Sequence, residues 1–177
     1  MQLETKHFGT ITIDEAKILT FPDGIPGFEE KTRFALVQNP EPEVPFHWLQ
    51  SVEEEGLTFV VTNPFLIRFN YDFDLPEHVV KKLAIQGQED VQIFCIVRIP
   101  EKVEEMTINL TAPIVLNTRT LMGKQVVLED DRYHTRHLVQ EELAASKQLM
   151  EEAAKAADTS SPDKAAAASG TPAEGGR

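Results

Sequence analysis

Every Phe, Trp and Tyr in the chain lies at or before Tyr133. The large side chains that build a core are therefore confined to roughly the first three quarters of the sequence, and the fold must be completed there. After about residue 140 the composition drifts through Glu141-Glu142-Leu143-Ala144-Ala145 into Ala, Ser, Thr, Pro and Gly, ending Gly175-Gly176-Arg177. Without large apolar groups such a segment cannot offset the entropy of ordering it. The expected organisation is one protein-binding domain over residues 1–136 and an Ala-rich tail over 137–177. That tail is expected to be helical to about 157, where Val139, Leu143 and Met150 fall near one face, and disordered after about 158.

Within the domain the apolar runs are short and β-branched or aromatic. They are Phe34-Ala35-Leu36-Val37, Phe46-His47-Trp48-Leu49, Leu57-Thr58-Phe59-Val60-Val61, Val91 to Val97, Thr107 to Ala112, Ile114-Val115-Leu116 and Val126-Val127-Leu128. Many short strands at close spacing predict a mainly β fold, a small antiparallel pseudo-barrel or sandwich with one or two short helices and a flexible C-terminal tail. Phe21-Pro22-Asp23-Gly24-Ile25-Pro26-Gly27-Phe28 carries two turn signals; Pro26-Gly27 suits the centre of a type II turn. Pro113 has no N–H for a ladder, so its strand is expected at an edge or bent there. A helix is expected near 75–85, capped by Asp74, with Pro76 in its first turn, an apolar face of Val79, Val80 and Leu83, and Gly87 as its stop.

Aspartate and glutamate total 29 against 17 lysine and arginine, giving a formal charge of −12. That sign opposes nucleic-acid backbones and anionic membrane surfaces and favours basic partners. One cysteine, Cys95, excludes an internal disulfide, and its apolar neighbours predict a buried, unreactive thiol. The N-terminus lacks the pattern of a secretory signal, and no stretch approaches the roughly 20 apolar residues of a membrane span. A cytoplasmic protein, monomeric when unbound, is expected. His134 and His137 with Asp130 and Asp131 lack further ligands at diagnostic spacing, so a solvated end of the domain is expected there rather than a metal. No nucleophile elbow, phosphate loop or Rossmann glycine pattern occurs, so neither catalytic residues nor a cofactor is expected.

Acidic residues cluster at Glu53-Glu54-Glu55, at Asp72 with Asp74, and at Glu129-Asp130-Asp131. Charge runs are usually solvated turns. The middle cluster is interleaved with Phe65, Phe69, Tyr71 and Phe73, a mixture that suits either a core or a surface that buries apolar anchors while steering basic groups. The candidate partner-binding residues are Asn63, Phe65, Tyr71, Asp72, Phe73 and Asp74, with Ile114 and Asn117 on a neighbouring segment.

These strings, in order, resemble the FliW family of flagellar assembly factors. The resemblance runs from Thr5-Lys6-His7-Phe8-Gly9 through Phe21 to Glu29, Trp48 to Glu53, Asn63-Pro64-Phe65, Tyr71 to Leu75, Ile99-Pro100-Glu101, Met106 to Leu110, Ala112 to Asn117 and Gly123 to Val126. It stops near residue 140. It implies a non-catalytic β pseudo-barrel with two alternating protein partners: flagellin before export, and the RNA-binding translational regulator CsrA. It further implies that the regulator is antagonised away from its RNA surface; the acidic charge and the lack of a basic patch add the expectation that the chain binds no nucleic acid directly. A chaperone that binds flagellin alone is the alternative.

Overall fold

The computed structural model describes residues 1–167, with side chains through residue 158. Eleven strands and two α-helices are present among them: β1 (Gln2–Thr5), β2 (Gly9–Thr12), β3 (Leu19–Thr20), β4 (Arg33–Val37), β5 (Phe46–Ser51), β6 (Thr58–Thr62), α1 (Glu77–Lys82), β7 (Val91–Arg98), β8 (Thr107–Ile108), β9 (Ile114–Asn117), β10 (Met122–Gln125), β11 (His137–Leu138) and α2 (Val139–Ala167). β1 and β2 form a separate antiparallel hairpin. The other nine strands make one sheet in the order β11-β8-β7-β6-β5-β4-β3-β10-β9, and β7 also pairs with β9. That extra pairing closes an irregular ring, because the eight-residue β7 serves two neighbours along one edge. Val91 to Phe94 pair with β9, and Val97 and Arg98 pair with β8. Its opposite edge meets β6 through Ile96 and Cys95. Every pairing is antiparallel except β3 with β10, which meet in parallel at Met122 and Thr20.

Pro113 lies at the break between β8 and β9, two strands against the same edge of β7. Proline therefore marks a bend, and its carbonyl accepts from the Val126 amide at 2.9 Å. The expected strand over Thr107–Ala112 is cut to two residues, because the Asn109 side chain accepts from the Ala112 amide at 3.1 Å and turns the chain. The expected Val126–Leu128 strand lies one residue beyond β10, though Leu128 still donates to Thr111 at 2.7 Å. The turn at Ile25–Phe28 forms as read: Gly27 sits at φ 91 and Phe28 donates to Ile25 at 2.7 Å. Gly24 has φ 65, and a Cβ there would stand 2.6 Å from the backbone of Glu29, so only glycine fits.

Helix α1 departs from its expected ends. Pro76 occupies the N-cap and no side chain caps it, so Asp74 stays outside the helix. Nor does Gly87 stop it. The chain leaves the helix at Leu83 and Ala84, the latter at φ 52, and the freed carbonyls are taken up by Asn117, as described below. α2 begins at Val139, not 137, because His137 and Leu138 pair with β8. Val139 is 5% exposed and belongs to the core, so ordered packing continues past residue 136. The expectation of disorder after residue 158 meets this helix as far as Ala167; residues 168–177 lie outside the described residues.

Three adjoining clusters form the core. Phe21, Phe34, Leu49, Phe94 and Leu116 fill the ring. Ile67, Tyr71, Cys95, Ile108, Leu110, Tyr133 and Val139 pack under β8 and α2. Val79 and Leu83 of α1 pack on Val115 and Val126. The second cluster positions the segment from Asn63 to Asp74.

Candidate partner-binding site

Pro64, fixed in φ, and Asn63, whose Oδ1 accepts from the Phe65 amide at 2.9 Å, close a single 3-10 turn over Pro64–Leu66. The turn throws two large side chains into solvent: Phe65 is 42% exposed and Leu66 58%. Ile67 goes inward instead. Tyr71 is also buried, at 3% exposure, and its hydroxyl donates to the Leu110 carbonyl at 2.6 Å. Burial and the neighbouring Cys95 push the Tyr71 phenol well above its ordinary range. Tyr71 thus anchors the segment rather than facing a partner fully. Phe65 and Phe73 flank it, with ring centroids at 5.8 and 5.4 Å.

These rings, with Leu75, Val91 and Ile93, line a cleft of about 500 Å³ whose rim carries Asp72 and Asp74. A second cleft of about 320 Å³ adjoins it, lined by Asp72, Phe73, Asp74, Leu128, Glu129, Asp130 and Arg132. The fold therefore brings two of the three acidic clusters to one place. Between them sits Arg132, 2.9 Å from Asp72 and 2.7 Å from Asp130. Its guanidinium holds the Asp130 carboxyl below the usual range, and Asp130 in turn raises the Arg132 pKa. The Tyr133 ring, with Arg68 and Arg132 each 5.0 Å from its centroid, fastens this corner to the core, and its hydroxyl lies 3.0 Å from the Asp72 carbonyl. The third cluster is elsewhere: Glu53 accepts from the Thr32 amide at 2.9 Å and Glu54 pairs with Lys31 at 3.7 Å.

Ile114 and Asn117 do not join this surface. Ile114 is 1% exposed and Asn117 is wholly buried. The Asn117 amide donates to the carbonyls of Leu83 at 2.7 Å and Ala84 at 3.2 Å, and its oxygen accepts from the Arg119 and Thr120 amides. It is the C-terminal cap of α1, and a surface reading of this pair is corrected by burial. The sequence signal was indirect: an Asn ending an apolar run, where no solvent-facing strand residue is needed.

Of the two histidines expected in a solvated segment, His134 is exposed but His137 is not. His137 is 7% exposed; its Nδ1 stands 2.8 Å from Glu142 Oε1, and its Nε2 accepts from the His134 amide at 2.9 Å. Nε2 as acceptor fixes the neutral tautomer with the proton on Nδ1. Burial lowers the His137 pKa against the opposing effect of Glu142. Among the described residues no group of three or more His, Cys, Asp or Glu is arranged to hold a metal ion. Cys95 is buried, and desolvation pushes its thiol up to about 12, so it is held protonated and is a poor nucleophile. Among the described residues no helix is long and apolar enough to cross a membrane.

Comparison with known proteins gives one consistent result. The family model described as FliW protein matches residues 2–139. A flagellar assembly factor FliW from Alkaliphilus metalliredigens (strain QYMF) is 49% identical over 158 residues, covering 89% of this chain and 98% of that one. The FliW of Caldicellulosiruptor bescii (strain ATCC BAA-1888 / DSM 6725 / KCTC 15123 / Z-1320) is 43% identical over 146 residues, covering 82% and 95%. A crystal structure of a flagellar assembly factor FliW superposes with a TM-score of 0.74 at 39% identity, covering 78% of this chain and 96% of that chain.

Proposed function

The chain belongs to the FliW family of flagellar assembly factors, and from that premise we propose that it is a non-catalytic cytoplasmic protein that binds flagellin and, alternately, the translational regulator CsrA. Holding the regulator would relieve its repression of flagellin translation whenever exported flagellin leaves the factor free. The observation that carries the reading is the aromatic cleft of exposed Phe65 and half-buried Phe73 beside Asp72, Asp74, Glu129 and Asp130. Exposed rings supply buried anchors on association; adjacent carboxylates steer and pair with basic groups. Asn63 shapes the turn that presents Phe65, and Tyr71 supports both rings from beneath. The net charge of −12 suits a basic RNA-binding partner and opposes direct RNA binding.

Titration calorimetry of the purified chain with flagellin and with CsrA, followed by displacement of one by the other, tests the proposal. Mutually exclusive binding of both is expected, and Phe65→Glu weakens it. Binding of flagellin with no association of CsrA makes the chain a chaperone without a regulatory arm. Binding of neither refutes the reading.

A further inference from the structure

Leu66, on the other side of the turn that exposes Phe65, faces a different surface. With Val103, Leu143 and Met150 it lines two adjoining depressions of about 420 and 310 Å³ along the first turns of α2. These four side chains are 58%, 58%, 43% and 55% exposed. Four large apolar groups together in water are a feature that a lone exposed leucine is not. We propose that this groove is a second docking surface, whose occupant is a basic amphipathic helix of another protein.

The shape argues for a helix. Leu143, Lys147, Met150 and Ala154 recur at intervals of four, three and four, the spacing of one face of a helix. Ser146 fixes which way that face points: its hydroxyl donates to the Ile67 carbonyl at 3.0 Å and accepts from the Phe69 amide at 3.1 Å. Glu142 adds a contact to Arg68 at 3.7 Å. The stripe is therefore held against the body at its start and continues beyond it, with small Ala154 allowing a close approach. A partner helix set alongside gains apolar contact from α2 on one side and from Leu66 and Val103 on the other.

The charge argues for a basic partner and against a second copy. Glu104 and Glu105 follow Val103 and are exposed, and exposed Glu151 lines the groove. Lys147 is the cation lining it, while Lys102 lies 3.9 Å from Glu105. Two copies would bring matching acidic rims together on chains of charge −12, whereas lysines or arginines flanking apolar anchors are attracted. Of its four large apolar groups, Leu143 and Met150 lie beyond residue 139, where the family model ends, and Leu66 and Val103 lie before it. The groove does not depend on the aromatic cleft.

The test uses the full chain and a labelled synthetic peptide, with leucines at helical a and d positions and lysines elsewhere. Its control is a peptide of identical composition with the leucines dispersed. By fluorescence anisotropy the amphipathic peptide is expected to bind at least ~10-fold more tightly than its control, and Met150→Glu to remove most of that difference. Met150 is exposed, so this variant keeps its fold; Leu143→Glu is expected to act in the same direction. Phe65→Glu is expected to leave the binding unchanged. Equal binding of the two peptides, binding unaffected by Met150→Glu, or loss of binding in Phe65→Glu overturns the proposal. So does sedimentation of the unmutated chain as a dimer that Met150→Glu converts to monomer, which would make a second copy the occupant.

Discussion

Asn117 and His137 show how a single polar residue can be structural where its type suggests exposure. Asn117 satisfies two helix-terminal carbonyls and two turn amides at once. Removing it takes the acceptor from the Arg119 and Thr120 amides and leaves the Leu83 and Ala84 carbonyls only the Thr120 hydroxyl and the Arg119 guanidinium, four hydrogen bonds lost at one buried position. Asn117→Ala is expected to destabilise the fold by about 2–3 kcal/mol in urea denaturation. At His137 the sign of the pH dependence follows from geometry. The folded state holds the ring neutral, since Nε2 accepts the His134 amide, while the unfolded ring titrates near its ordinary value of 6.5. The folded pKa is depressed, so the unfolded state binds the extra proton first, and stability present above pH 6.5 is lost as pH falls through the lower folded value. The charges facing the ring are Glu142, which favours protonation, and His134 and Arg68, which oppose it. Denaturation midpoints measured from pH 7.5 to 5.0 should therefore fall, and His137→Gln should flatten that fall. A profile equally steep in the variant would mean that other groups set it.

Elements were legible from sequence wherever the cause was local, and missed where it was not. β4, β5, β6 and β7 coincide with the short β-branched and aromatic runs, because a strand's apolar content is written directly into its own residues. The Ile25–Phe28 turn was readable from Pro26 and Gly27 for the same reason. α1 was readable in existence but not in its caps, since the groups that end it come from Asn117, 34 residues away along the chain. The acidic–aromatic site was half legible. Its rings and Asp72 and Asp74 lie on one segment, but Arg132 reaches Asp72 across a separation of 60 residues, which no local pattern reveals. β11 and the anchoring of α2 were hidden in the same way, because His137 and Leu138 find their strand partners in Ile108 and Thr107 and the contacts that hold the helix are equally distant in sequence. What ties α2 to the body is Ser146, between Ile67 and Phe69. Ser146→Ala is expected to cost about 1–2 kcal/mol of local stability. Amide hydrogen exchange should then speed up in the first two turns of α2 and at Phe69, with the ring strands unaffected.

At the scale of the whole molecule, a closed ring of strands leaves few free edges, so partner binding rests on side-chain surfaces and on charge. A fold of net charge −12 is expected to give no gel shift with the regulator's target RNA unless the regulator is present. Within that general field the clefts around Asp72 and Asp74 concentrate four carboxylates, and Arg132 offsets part of that charge from within. Reversing Asp72 and Asp74 together separates steering by this face from attraction by the chain as a whole. Both residues are solvent-exposed, and an exposed ion pair such as Asp72 with Arg132 contributes only about 0–1 kcal/mol, so Asp72→Lys with Asp74→Lys should fold with a melting curve close to the parent's. Glu53 is unsuitable as a control because it holds the Thr32 amide. Glu41→Lys with Glu43→Lys is better, since both positions are exposed and the charge change is the same. Long-range attraction from net charge falls equally in the two double variants; local steering falls only in the first. By stopped-flow at low salt, the association rate with CsrA should drop about 10-fold or more in Asp72→Lys/Asp74→Lys and far less in Glu41→Lys/Glu43→Lys, with the gap shrinking as added salt shortens the screening length below ~10 Å. Equal rates in the two variants would move the docking face away from Asp72 and Asp74, and a salt-independent gap would mean that the substitutions block contact rather than steering.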